Sequence, residues 1–226
     1  MTYEQTRANL ETYFDRTAAE TWARLTSEAP VSRIRRTVRA GRDRMRATLL
    51  SRLPADMTGM RLLDAGCGVG QLSVEAARRG AEVLGVDISP NLLDVARDRM
   101  PRDVTARVRF VAGDMLDDAH GAFDYVVAMD SLIHYRPADI AAALARLALR
   151  TRRGVVFTVA PSTPALEAMK FVGKAFPRAD RSPAILPVSA ARLTRELAPL
   201  TDWRLASVER IRSGFYISEA MELIPT

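Results

Sequence analysis

The stretch Asp64-Ala65-Gly66-Cys67-Gly68-Val69-Gly70, entered from the apolar pair Leu62-Leu63, leaves this chain few folds to choose from. Three glycines at every second position let a strand turn sharply into a helix and let the backbone approach a ligand where a Cβ would collide. A second apolar run, Glu82-Val83-Leu84-Gly85-Val86, ends on Asp87, where a carboxylate can take two ribose hydroxyls. Together these predict a nucleotide site. A purely structural turn would explain the glycines but not the acids spaced beside them.

The glycine register says which nucleotide. A dinucleotide fingerprint wants G-x-G-x-x-G, and here the third glycine comes one residue early, at Gly70, with Gln71 in its expected place. Asp64, two positions before the first glycine, would repel a pyrophosphate and attract an ammonium group. S-adenosylmethionine carries that ammonium and no phosphate. The pattern D-x-G-x-G-x-G followed by a ribose-binding Asp resembles the first two motifs of the class I methyltransferases.

At 226 residues the chain is long enough to bury the core of one large α/β domain. The single cysteine, Cys67, cannot form an internal disulfide, which points to a reducing interior and a structural or bystander thiol. The first residues lack the basic and apolar regions of a secretion signal, and no run of about 18 apolar residues occurs. A soluble, cytoplasmic protein is therefore expected. The formal net charge of +6 and pI near 10.1 favour an anionic partner: nucleic acid, an anionic membrane surface or an acidic small molecule. All but two of the 33 basic residues are arginine, which a GC-rich coding sequence also explains.

The expected architecture is a doubly wound, seven-stranded, mostly parallel sheet, with a helical arm at residues 1–53 and a core at 54–226. Apolar spacing through Leu10, Tyr13, Phe14, Ala18 and Trp22 reads as an amphipathic helix pair over 3–30. After Pro30 a second helical stretch, Val31 to Leu53, crowds seven arginines between Arg33 and Arg46 onto one face. That face is either simply solvated or a contact for carboxylates or an anionic membrane. Gly41-Arg42 looks like a break allowing close backbone approach. Strands are predicted at 60–65, 82–87, 107–112, 123–129 and 154–159, helices near 70–79, 90–100 and 137–149, and a closing antiparallel hairpin at Trp203–Arg210 and Phe215–Leu223. The proline-rich insertion at about 161–201, including Phe171, reads as a lid or substrate wall, with core packing as the alternative.

In such a sheet the ligand sits outside the carboxyl ends of the strands, where strand order reverses between the first and fourth. Asp64 would hold the methionine ammonium, Gly66, Gly68 and Gly70 would line methionine and ribose, Asp87 would take the ribose, and Ile88 would lie against adenine. Asp114 would accept from the adenine amino group, with Met115 packed on the ring, unless it merely caps its own turn. The fourth strand empties into Asp130-Ser131-Leu132-Ile133-His134-Tyr135, polar groups at the reactive edge, with Asp130 on the donor side. His134 is a base, an orienter or a hydrogen-bond donor. No N-P-P-Y motif for methylating nucleic-acid amines is present. Methyl transfer from a sulfonium is an in-line displacement that needs alignment above all, and a carboxylate acceptor requires no strong base.

Tyr13-Phe14-Asp15-Arg16-Thr17 with Trp22, the run Val31 to Arg42, the Asp64 to Gly70 motif, the Asp130 to Tyr135 loop and the closing Phe215-Tyr216-Ile217-Ser218 resemble the magnesium protoporphyrin IX methyltransferases of bacteriochlorophyll and chlorophyll synthesis. The resemblance covers nearly the whole chain. It implies esterification of a porphyrin propionate by S-adenosylmethionine, releasing S-adenosylhomocysteine, without a protein-bound metal. It places the reactive histidine on His134 and substrate contacts on Tyr13, Arg42, Tyr135 and Phe171, while an arm tyrosine of the family is replaced by Thr26. It also implies contact with the porphyrin-binding subunit of magnesium chelatase and a peripheral place at the photosynthetic membrane, with no nucleic-acid partner. The rivals are a methyltransferase of a quinone or another carboxylate, and a non-catalytic module that binds donor or RNA.

Overall fold

The computed structural model of the chain describes residues 2–15, 33–162 and 184–226. Its sheet has seven strands: β1 (Arg61–Ala65), β2 (Glu82–Asp87), β3 (Val108–Ala112), β4 (Phe123–Ala128), β5 (Thr151–Val159), β6 (Trp203–Ser213) and β7 (Tyr216–Pro225), in the order β3-β2-β1-β4-β5-β7-β6. The first five run parallel, and β7 lies antiparallel between β5 and β6. This is the expected doubly wound arrangement. β5 begins at Thr151 instead of Gly154, because its first turnings outward are Arg152 and Arg153, whose charges face Asp124 and hide the strand from an apolar pattern.

Six helices flank the sheet among the described residues: α1 (Tyr3–Tyr13), α2 (Arg33–Ser51), α3 (Gln71–Arg78), α4 (Pro90–Asp98), α5 (Pro137–Ala148) and α6 (Ala190–Glu196). Alternate strand residues go to opposite faces. Leu62 joins Met45, Leu49, Leu72 and Leu93 beneath α2, α3 and α4, while Leu63 joins Leu10, Ile140, Leu144 and Leu193 beneath α1, α5 and α6. Thr2 and Gln5 form a capping box that starts α1. Ser89 caps α4, accepting from the Leu92 N–H at 3.3 Å, with Pro90 in the first helical position.

Two expectations change here. Gly41 does not break α2; it lies within the helix, and a Cβ there would fall 2.6 Å from Tyr216 Cδ1 and 3.0 Å from Ser213 Cβ. Close approach to the β6–β7 hairpin is what the glycine provides. Gly41→Ala is therefore expected to cost about 1–3 kcal/mol by overpacking, read as a fall in melting temperature; an unshifted midpoint would show that α2 has room to move. The second change concerns the insertion. Its later part, α6, buries Leu193 completely in the core and so is a packing element, not a lid. Residues 184–188 instead run beside the loop after β4, with the Leu186 N–H donating to Ile133 O at 2.8 Å and the Val188 N–H to Ala160 O at 2.9 Å. Phe171, Trp22 and Thr26 lie outside the described residues.

Candidate active site

A cavity opens where β1 and β4 lie side by side and the connections leave in opposite directions. Gly66 and Gly68 line it. Gly68 has open space where a Cβ would stand and donates its N–H to Asp87 Oδ2 at 2.8 Å, whereas a Cβ on Gly66 would meet Ser131. Gly70, expected beside the ligand, faces the other way. It is the left-handed N-cap of α3 (φ 74°), and a Cβ would strike Phe110 at 2.4 Å, so it seats the helix on the sheet and does not line the cavity.

Three acids follow from three strand ends. Asp64 is 2 % exposed and accepts from Ser73 Oγ at 2.6 Å; burial, helped by the nearby Asp87 charge, pushes its carboxyl up to about 7. Asp87 accepts from Gly68 on one oxygen and from the Ser89 N–H on the other at 2.9 Å, bracing two loops, and burial raises it too. Cys67 between them is driven upward by burial and by both carboxylates, so its thiol stays protonated and is no nucleophile. Asp114 caps its own turn through the Leu116 N–H at 2.9 Å and also lines the cavity. Ile88 and Met115 complete this side.

The arm forms the roof. Tyr3, Leu10 and Phe14 on one face of α1 line the cavity; the Tyr3 hydroxyl donates to Asp114 Oδ1 at 2.8 Å, and its ring stacks on Tyr135 with centroids 4.9 Å apart. Asp15 accepts from Ser89 Oγ and the Asn91 N–H, both at 3.3 Å, tying the end of α1 to the start of α4. Tyr13 does not line the cavity: its ring packs edge-on against Phe14. Tyr3 escaped sequence reasoning, although its spacing to Leu10 and Phe14 is that of a single helical face.

The loop after β4 supplies the opposite wall. His134 ends a short 3-10 turn, Leu132–His134, and its Nδ1 lies 3.2 Å from Ala184 O. A carbonyl only accepts, so Nδ1 carries the proton and Nε2 keeps its lone pair for the cavity. Burial lowers the imidazole pKa, opposed by the Ala184 bond and the Asp130 charge. Asp130 and Arg42 line the cavity but bond to each other, and Arg46, one of the seven arginines of the charged face, turns inward onto Glu75 and Gln71. Tyr135 is buried beneath Tyr3. Among the described residues no three His, Cys, Asp or Glu side chains converge as a metal group.

A parallel sheet reversing at β1/β4, a glycine loop open at Gly68 and an acid at the end of each neighbouring strand define a class I S-adenosylmethionine-dependent methyltransferase. The methyltransferase-domain family model matches residues 62–154, and the model for the magnesium-protoporphyrin IX methyltransferase C-terminus matches residues 128–225. The chain is 52% identical over 224 residues to the magnesium-protoporphyrin O-methyltransferase of Rhodobacter capsulatus, covering 99% of this chain and 98% of that one, and thus belongs to the magnesium-protoporphyrin O-methyltransferase family. It is 28% identical over 218 residues to the chloroplastic magnesium protoporphyrin IX methyltransferase of Arabidopsis thaliana, covering 94% of this chain and 69% of that protein. The crystal structure of magnesium protoporphyrin IX methyltransferase from Synechocystis PCC 6803 with bound SAH matches with a TM-score of 0.81 at 27% identity, over 97% of this chain and 100% of that one.

Proposed function

We propose that the protein transfers the methyl group of S-adenosylmethionine to a propionate carboxylate of magnesium protoporphyrin IX, yielding the monomethyl ester and S-adenosylhomocysteine. One observation carries the reading: His134, with Nδ1 held by the Ala184 carbonyl, lines a cavity that also holds the strand-end acids and glycine loop and whose roof is aromatic. On the donor side Asp64 meets the ammonium, Gly66 and Gly68 the methionine and ribose, Asp87 the ribose hydroxyls, and Ile88, Met115 and Asp114 the adenine. Phe14 and Tyr3, the latter backed by Tyr135, offer flat apolar surface to a macrocycle.

The chemistry balances simply. A propionate oxygen attacks the methyl carbon, the methyl–sulfur bond breaks with its electron pair passing to sulfur, and the cationic sulfonium becomes a neutral thioether. In a partly desolvated cavity lined by four aspartates, a propionic acid holds its proton more tightly than in water. His134 Nε2 takes that proton, and the fixed geometry supplies the rest of the acceleration by alignment. A peripheral place at the photosynthetic membrane and hand-over from the chelatase subunit belong to the same proposal. They are supported by Ile34 and Phe215, which are 56 % and 59 % exposed beside the arginine face of α2, in a chain where no described helix is long and apolar enough to cross a membrane.

The ammonium site predicts a proton linkage. The folded-state value of Asp64 lies above its ordinary range, so in the free protein this group's stabilising effect is present at low pH and is lost as pH rises toward about 7. A bound ammonium reverses that preference and favours the carboxylate. S-adenosylhomocysteine should therefore raise the melting temperature more at about pH 8 than at about pH 6, and an equal shift at both would remove Asp64 from the ammonium site. The acceptor is tested by incubating the protein and S-adenosylmethionine with magnesium protoporphyrin IX, metal-free protoporphyrin and a catechol quinone precursor. Methyl gain by the metalloporphyrin first supports the proposal; gain by the quinone precursor alone would replace it.

A further inference from the structure

Beneath the reactive loop sits a polar cluster built on Asp130 and Arg42, which the sequence assigned to donor and substrate but which bond to each other. The Asp130 carboxylate accepts from Arg42 Nη1 of α2, from the Tyr216 hydroxyl of β7 at 3.0 and 3.2 Å, and from Thr158 Oγ1 of β5 at 3.3 Å, while its own N–H donates to Thr158 Oγ1 at 2.7 Å. The Asp130 side chain is 7 % exposed and that of Arg42 17 %. A buried ion pair repays its desolvation only when further hydrogen bonds satisfy it, as they do here. Asp130 is also the non-glycine residue with positive φ (55°) among those described, a conformation held where the surroundings enforce it. Gly41 adds a geometric reason: lacking a Cβ, it lets α2 close on Tyr216 and brings the next residue, Arg42, to Asp130.

We propose that Arg42, Tyr216 and Thr158 grip Asp130 in its left-handed conformation so that the following turn presents His134 to the acceptor carboxyl, which makes Asp130 a positioning residue instead of a donor contact. Three residues separate Asp130 from His134, and that turn is anchored at its start by this cluster and at its end by Ala184. The inference rests on the methyl-transfer reading above, and its test separates the two.

The variants are Asp130→Gly, which keeps the backbone conformation but removes the carboxylate, Asp130→Asn, Arg42→Gln and Arg42→Lys. Each is measured for kcat and KM with magnesium protoporphyrin IX, for S-adenosylhomocysteine affinity by calorimetry, and for the imidazole 15N spectrum of His134. The chain has two histidines, so His120→Gln assigns that spectrum. Asp130→Gly, Asp130→Asn and Arg42→Gln should lower kcat at least about tenfold, with product affinity little changed and the single Nδ1-protonated form of His134 giving way to a tautomer mixture; Arg42→Lys, keeping the charge, should recover part of the rate. A loss of product affinity matching the loss of kcat would make Asp130 a donor ligand and overturn the proposal, as would folded variants with unchanged kcat and tautomer. If the Asp130 variants do not fold, Tyr216→Phe carries the same readouts with a smaller expected loss. Should the wild type transfer no methyl to the porphyrin, the functional reading falls, while the His134 spectrum still decides whether Asp130 sets its geometry.

Discussion

His134→Ala is expected to lower kcat by about 10²–10⁴-fold, the range for removing a positioned proton acceptor, and to leave S-adenosylhomocysteine affinity unchanged. The reason is the division of the cavity. In the proposed binding mode the donor is held from the ends of β1, β2 and β3, whereas His134 belongs to the turn after β4. The pH profile gives a second check. With Nδ1–H committed to Ala184 O, the imidazole acts through a neutral Nε2, and burial lowers its pKa. Protonation at low pH removes the lone pair, so kcat at saturating S-adenosylmethionine, where Asp64 is already held as the carboxylate, should fall on the acid side with a limb below about 6.5. A limb above that value, or a variant as fast as the parent, would remove the histidine from proton transfer.

Asp87→Ala is expected to weaken S-adenosylhomocysteine about 100-fold, equivalent to about 2.7 kcal/mol. The carboxylate does two things at once. It braces the glycine loop and the start of α4 by accepting from Gly68 and Ser89, and it faces the cavity where the ribose is placed. Alanine leaves both backbone N–H groups without that acceptor, at about 1–3 kcal/mol for each that stays buried and unpaired, and removes the ribose contact as well. Calorimetry reads the loss directly. Affinity within a fewfold of the parent would mean that the ribose lies elsewhere and that Asp87 is only a brace.

The strands and helices that carry the donor motif were legible because their signals are local. Leu62-Leu63, Val83 to Val86 and Ser89-Pro90 announce strands and a helix start within a few residues, and Asp64 and Asp87 reach the cavity because strand ends do. What local pattern cannot show is pairing across the chain. Arg42 and Asp130 are 88 residues apart and Tyr3 and Asp114 are 111 apart, so neither the ion pair nor the roof contact leaves a trace in periodicity. Gly70 illustrates a subtler limit: its place in the motif is clear, but whether it faces the ligand or Phe110 depends on a side chain from β3. Arg46 shows the same for charge, since a helix face dense in arginine conceals which of them point inward.

The product of this cavity is a carboxylate ester. The most direct measurement supplies methyl-labelled S-adenosylmethionine and magnesium protoporphyrin IX to the purified protein, then follows the label in the extracted porphyrin before and after mild alkaline hydrolysis. One methyl per macrocycle is expected, formed in step with S-adenosylhomocysteine and released as methanol by base. Label that resists base, or a porphyrin that takes up none while the donor binds, would contradict it.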